Sequence, residues 1–165
     1  MLVRNRQMVK GRRFVNERVI GNPVQAAEIH SARGVDELLV LDTTGPDFEF
    51  IGQLIDRCWC PVTVGGGIQS VEDVRTLLNL GADKVCIHAN RSLVRSIADS
   101  YGSQAVVACL NHTGGSCDSA GMARGLEEAG AGEILIQEIS RDGTMEGYNL
   151  DLIRAVSQAV SVPVI

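Results

Sequence analysis

The chain is poor in aromatic residues, poor in proline, and carries no excess of positive charge. Only 4% of its 165 residues are Phe, Trp or Tyr, which argues against the aromatic platforms on which unpaired bases stack. Four prolines stand against 18 glycines, a balance that suits short strand–helix connections better than disorder. Net charge is −5 and the isoelectric point about 5.2. No basic field therefore draws the chain to nucleic acid or to an anionic membrane. No apolar run reaches membrane length and no signal-peptide pattern occurs, so a cytoplasmic protein is expected. The cysteines Cys58, Cys60, Cys86, Cys109 and Cys117 are odd in number and include no CxxC pair. Buried, reduced thiols are expected, and neither a metal site nor a cofactor is implied.

What is present is a core and a rhythm. The hydrophobic fraction is 45%, enough for one domain at this length. Short apolar runs recur: Leu38–Leu41, Pro61–Val64, Val85–Ile87, Ala105–Leu110, Ile134–Ile136 and Val162–Ile165. They do not alternate and are rich in Val and Ile, the pattern of strands buried on both faces. Helical stripes lie between them: Phe48, Ile51, Leu54, Ile55 and Cys58; Val71, Val74, Leu77 and Leu78; Ile153, Val156 and Val160. Asn22-Pro23 and Ser70 with Glu72-Asp73 read as helix starts. Repeated strand–helix units imply a parallel sheet.

One phrase returns three times, as Gly34-Val35-Asp36-Glu37-Leu38, Gly81-Ala82-Asp83-Lys84-Val85 and Gly130-Ala131-Gly132-Glu133-Ile134. Each copy ends a helix, turns and enters a strand, and the copies are two strand–helix units apart. Such a repeat is natural in a (β/α)8 barrel. The expected fold is α/β, a single partial barrel domain over residues 1–165 with about seven strands and six helices, where a full barrel usually needs about 250 residues. Met1-Leu2-Val3 is too short for a whole strand and the chain stops at Ile165. The chain thus reads as a piece truncated at both ends, with an exposed seam prone to association.

The polar residues fall at the ends of the expected strands. Gly65-Gly66-Gly67 follows the third, a sequence that lets backbone approach a ligand and turns N–H groups toward an anion; a plain turn is the alternative. Asp42 ends the second strand, His88 the fourth and Asn111-His112 the fifth. The sixth is followed by Ser140-Arg141-Asp142-Gly143-Thr144-Met145-Glu146-Gly147-Tyr148-Asn149. In a barrel these ends meet on one face, so one polar cup is expected there. Glu37, Lys84 and Glu133 begin three strands, and their mixed signs allow ion pairing at the opposite face.

These phrases, together with Met8-Val9-Lys10-Gly11 and Tyr101-Gly102-Ser103-Gln104-Ala105, resemble the cyclase subunit of imidazole glycerol phosphate synthase, of histidine biosynthesis. The resemblance runs over nearly the whole chain. It implies a lyase-type barrel that takes ammonia from a glutaminase partner and adds it to a phosphorylated ribonucleotide held by two phosphate sites. It places Gly67 at the first phosphate site and Asp142 and Gly143 at the second, with Gly66 and Thr144 as further phosphate-binding candidates. Lys10 matches a flexible-loop lysine, and Glu37, Lys84 and Glu133 match an ammonia gate. Asp83 matches a residue facing the glutaminase.

The departures are specific. Leu2 and Asn111 occupy the two positions where the family uses aspartates as general acid and base. Leucine exchanges no proton, and asparagine is not a carboxylate base. His88-Ala89 stands where the family has an Asn-Thr pair on phosphate, and Ser140 replaces an acidic residue. Leu2 and the Asp142–Tyr148 stretch also resemble a paralogous branch that works with a glutaminase-like partner in amidation of surface-polysaccharide sugars. A third alternative is a non-catalytic phosphate-binding fragment.

Overall fold

The computed structural model describes residues 1–115 and 117–165. The chain forms two compact units: Met1–Lys10 with Arg18–Cys86, and Gly11–Glu17 with Ile87–Ile165.

The first unit is built on parallel backbone ladders. β1 (Leu2–Arg4) pairs in parallel with β4 (Leu38–Asp42), β4 with β5 (Val62–Gly65), and β5 with β6 (Lys84–His88), whose last two residues belong to the second unit. The registers include Leu38 opposite Val62 and Thr63 opposite Lys84. Every residue of β5 is buried, so the apolar runs read as strands because both faces are covered. The unit's helices α1 (Pro23–Ala32), α2 (Phe48–Ile55) and α3 (Val71–Asn79) each have a side-chain cap: Asn22, Asp47 and Ser70. At α3 the cap is reciprocal. Asp73 N–H donates to Ser70 Oγ at 3.1 Å, and Ser70 N–H donates to Asp73 Oδ2 at 3.0 Å. The Gln69 N–H on the same carboxylate is the chief reason Asp73 is held below the usual carboxylate range.

The second unit contains α4 (Arg91–Tyr101), β7 (Val106–His112), α5 (Ser119–Glu127), β8 (Glu133–Glu138) and α6 (Leu150–Ser157). β7 and β8 pair in parallel with Asn111 opposite Gln137 and His112 opposite Glu138. Ile97, Leu126, Ile134 and Val156 are fully buried and form its core.

The three repeats of the glycine phrase share one geometry. Gly34, Gly81 and Gly130 all have positive φ. Their N–H groups donate three residues back, to Ser31, Leu78 and Glu127 carbonyls, while the next residues donate five back, to His30, Leu77 and Leu126. That pair of bonds is the Schellman helix terminus, which needs a left-handed residue at its centre.

The expected strand count changes in two places. A hairpin of β2 (Gln7–Arg12) and β3 (Val15–Gly21) adds two strands. Its turn, Arg13-Phe14, and the β1–β2 turn, Asn5-Arg6, have positive φ at both central residues, the geometry of two-residue hairpins. Val162–Ile165 forms only an isolated bridge, Val164 beside Ile134. Two helical stripes also overrun their helices: Cys58 lies past α2 and Val160 past α6.

Leu77 is fully buried in α3, so Leu77→Ala is expected to cost about 2–5 kcal/mol. Ser70→Ala removes one arm of the capping box and should cost about 1 kcal/mol. Urea unfolding of the two variants checks the order.

Candidate functional site

In the first unit, the carboxyl ends of β4 and β5 touch backbone to backbone. Gly66 has a φ of +101°, and a Cβ there would stand 1.9 Å from the Asp42 carbonyl oxygen. Gly67 also crowds the β4 loop, where a Cβ would meet Gly45 Cα at 2.5 Å. The triplet is therefore required by packing, whatever it binds. Asp42 is buried and is occupied locally: its Oδ1 accepts the Thr44 N–H at 2.9 Å and the Thr44 hydroxyl at 2.6 Å, an Asx turn. Leu2 is half-buried in β1 opposite Leu41. Lys10 is exposed within strand β2, where a loop lysine was expected from the resemblance.

At the amino-terminal ends of β4 and β6, Glu37 and Lys84 meet. Lys84 Nζ donates to Glu37 Oε2 at 2.7 Å, and the buried Thr63 hydroxyl donates to Glu37 Oε1. Burial pushes the Glu37 carboxyl up, but the Lys84 and Thr63 hydrogen bonds outweigh it and leave the group below its ordinary value. The network joins β4, β5 and β6 below their ladder bonds. Asp83 beside it has a structural task, its Oδ2 accepting the Val62 N–H at 2.8 Å. Trp59 precedes β5 and is 76% exposed.

In the second unit, the Ser140–Asn149 loop leaves β8 through a chain of tight turns. Asp142 N–H donates to the Glu138 carbonyl and Thr144 N–H to the Arg141 carbonyl. The Thr144 hydroxyl also donates to Arg141 O at 2.8 Å. Two N–H groups of the expected phosphate grip are thus engaged inside the loop. The hairpin tip of the same unit clasps it: Arg13 N–H donates to Asp142 O at 2.8 Å and Arg13 Nε to Ser140 O at 2.9 Å. Gly143, with φ +68°, sits where a Cβ would be 2.5 Å from Gly11 O. Asp142 and Gly143 are exposed, and both line a cleft of about 420 Å³ with Phe14, Glu138, Arg141 and Tyr148.

Asn111 is exposed at the end of β7. Its Oδ1 lies 3.6 Å from Cys109 Sγ, which also approaches Gln137 Oε1 at 3.5 Å. Asn111, Cys109 and Gln137 therefore share one face of the β7–β8 pair, and His112 and Glu138 point to the other. His112 is buried with Nδ1 3.1 Å from the buried Ser119 hydroxyl. His88 is exposed at the end of β6, and Glu133 is half-buried at the start of β8.

Glu138 and Ser119 are polar groups that sequence reasoning missed, and His112, expected in the polar cup, is instead buried against Ser119. The signal for Glu138 was present: a second polar residue after Gln137 at a strand's carboxyl end. The thiols need one correction. Only Cys86 and Cys109 are buried, Cys58 and Cys60 are half-buried, and Cys117 is exposed, because Cys117 precedes α5 rather than lying in a strand. Burial pushes the Cys58 thiol up to about 11, with Cys60 adding to the shift, which keeps it protonated and unreactive. Among the described residues, no helix is long and apolar enough to cross a membrane.

Strand–helix repeats with parallel ladders define the class: the eight strands and six α-helices among the described residues, with the β2–β3 hairpin as an addition, make an α/β fold consistent with an incomplete (β/α)8 barrel. The histidine biosynthesis protein family matches residues 1–165, and the chain belongs to that family.

Two measurements follow from this geometry. Gly66→Ala forces a side chain onto the Asp42 carbonyl in a left-handed conformation and is expected to destabilise by about 3 kcal/mol or more, read from the urea midpoint without any ligand. The lowered Glu37 carboxyl contributes stability that is present above its ordinary value of 4.5 and is lost as pH falls through its native value. Glu37→Gln should therefore flatten the fall in stability below about pH 4.5, while leaving the rest of the acid limb unchanged.

Proposed function

We propose that this chain is an ammonia-using subunit of the imidazole glycerol phosphate synthase cyclase type, working with a glutaminase partner on a phosphorylated ribonucleotide. The observation that carries the reading is the Glu37–Lys84–Thr63 network at the amino-terminal ends of β4, β5 and β6. A paired cation and anion at a strand's start form a gate that a small neutral amine passes by loosening one ion pair. Glu133 holds the corresponding place in its own repeat. Trp59, a large exposed ring in the loop before β5, and Asp83, just before β6, supply contacts for the glutaminase, since aromatic anchors dominate such interfaces. Lys10, Gly66 and Gly67 in the first unit, and His88, Asp142, Gly143 and Thr144 in the second, are each proposed as phosphate-binding residues.

A second reading, the paralogous subunit for amidation of polysaccharide sugars, is favoured by Leu2 and Asn111. Neither side chain can exchange a proton at neutral pH, so the acid–base pair of the cyclase reaction is absent from these positions. That reading keeps the ammonia gate and the partner and changes the acceptor.

Glutamine hydrolysis by a glutaminase of this family, with and without the full chain, tests the shared part. Stimulation by the chain, weakened about tenfold or more by Trp59→Ala, is expected; no stimulation at any concentration overturns the proposal. Turnover of the cyclase substrate with ammonium salt separates the two versions. General acid–base catalysis contributes about 10²–10⁴-fold, so a rate reduced by that factor or more favours the amidation paralog. A rate equal to that of an aspartate-bearing cyclase excludes it.

A further inference from the structure

At the root of the Ser140–Asn149 loop, an imidazole and a carboxylate lie side by side with no hydrogen bond between them. The ladder sets His112 opposite Glu138, so both side chains leave the same face of the β7–β8 pair. His112 is buried, and its Nδ1 lies 3.1 Å from the buried Ser119 hydroxyl at the first turn of α5. Glu138 Oε1 accepts the Ser140 hydroxyl at 2.8 Å. Its Oε2 is buried and has no hydrogen-bond partner among the described residues. Native structures seldom leave a buried carboxylate oxygen without a donor, because nothing replaces the hydration it lost.

Little else polar reaches the pair. α4 buries Leu93, Val94 and Ile97, and α6 buries Val156. Among the residues that α5 buries, Ser119 alone has a polar side chain. Cys117 and Asp118, before α5, are exposed, and Asp118 Oδ1 is taken by the Gly121 N–H at 2.8 Å. Arg141 Nε lies 3.7 Å from Glu138 Oε1, the oxygen that already has a partner. The imidazole is left as the source of a donor for Oε2. A neutral ring has one N–H to share between Ser119 and Glu138, whereas a protonated ring has one for each. The Ser119 hydroxyl donates or accepts, so it follows either state by turning its proton. The last torsion of Glu138 is soft, so Oε2 can turn toward the ring without moving the strand.

We propose that His112 is a proton-operated latch at the root of the Ser140–Asn149 loop. When the ring takes up a proton, its Nδ1–H donates to the Ser119 hydroxyl and its Nε2–H to Glu138 Oε2. The change reaches the loop through Glu138 itself. Its backbone carbonyl accepts the Arg141 and Asp142 N–H groups at 3.2 and 3.0 Å, and its Oε1 holds the Ser140 hydroxyl. Opposite charges on the two side chains favour the closed pair. The latch is therefore closed where the imidazole is charged and the carboxylate ionised, and it opens as pH rises. It works whatever the loop binds.

Nitrogen NMR of the imidazole rings and amide hydrogen exchange of the full chain, at about pH 6 and about pH 8, test it. The lower value leaves an ordinary carboxyl ionised and an ordinary imidazole largely protonated. There both His112 nitrogens are expected to carry protons. The Ile139 and Asp142 amides, which donate to His112 O and Glu138 O, should exchange about fivefold or more slower at the lower pH, each relative to its intrinsic rate. His112→Gln and Glu138→Gln should each abolish that difference, and His30→Gln, at an exposed position on α1, should keep it. A His112 ring that stays neutral at the lower pH, protection that does not change with pH in the wild type, or a difference that survives Glu138→Gln overturns the proposal. The ring measurement needs no variant, so it decides the matter even where a substitution prevents folding.

Discussion

The helix-closing turn is the joint on which both units depend. In each of the three repeats a glycine in the left-handed region reverses the chain, and the residue after it bonds five positions back into the helix. Only this arrangement satisfies the last carbonyls while aiming the chain into the next strand within four residues. The charged residue of the phrase then falls at the strand's first or preceding position. That is how Glu37 and Lys84 come within one hydrogen bond of each other although 46 residues of chain separate them. The ion pair follows from the turn.

The carboxyl ends of the strands obey a different constraint, the crowding of backbone on backbone. Gly66 on Asp42 and Gly143 on Gly11 are contacts in which no side chain fits. A glycine-rich loop is ordinarily read as an anion cradle. Here part of its composition is explained before any ligand is considered. The Ser140–Asn149 loop makes the same point through hydrogen bonds, since the Asp142 and Thr144 N–H groups point back into the loop's own carbonyls.

The sequence was legible where burial leaves little choice. β4 to β8 announced themselves as apolar runs because both faces are covered, and Asn22, Ser70 and the helix-ending glycines marked the helices by local chemistry that works without tertiary help. The β2–β3 hairpin was not legible. Its outer strand is exposed almost throughout, so no alternation of apolar and polar residues marks it. Its turn is Arg13-Phe14, without the glycine or asparagine that such turns favour. Val162–Ile165 reads as a strand by composition and makes only a bridge, since pairing depends on a neighbouring edge that composition does not reveal. The site residues were legible as positions at strand ends, but not as partners. Alternation within β7 puts Cys109 and Asn111 on one face, but nothing local says that Gln137 joins them, because that depends on the register of two strands.

The clasp of Arg13 on the Ser140–Asn149 loop also bears on how a ligand is held. A loop already fixed by its own turns and by two bonds from the hairpin tip loses little conformational entropy when something docks against it. Such a wall does not reshape itself around different guests. Differences among ligands then arise from the contacts each makes with a fixed surface, and they appear mainly in how fast each one leaves.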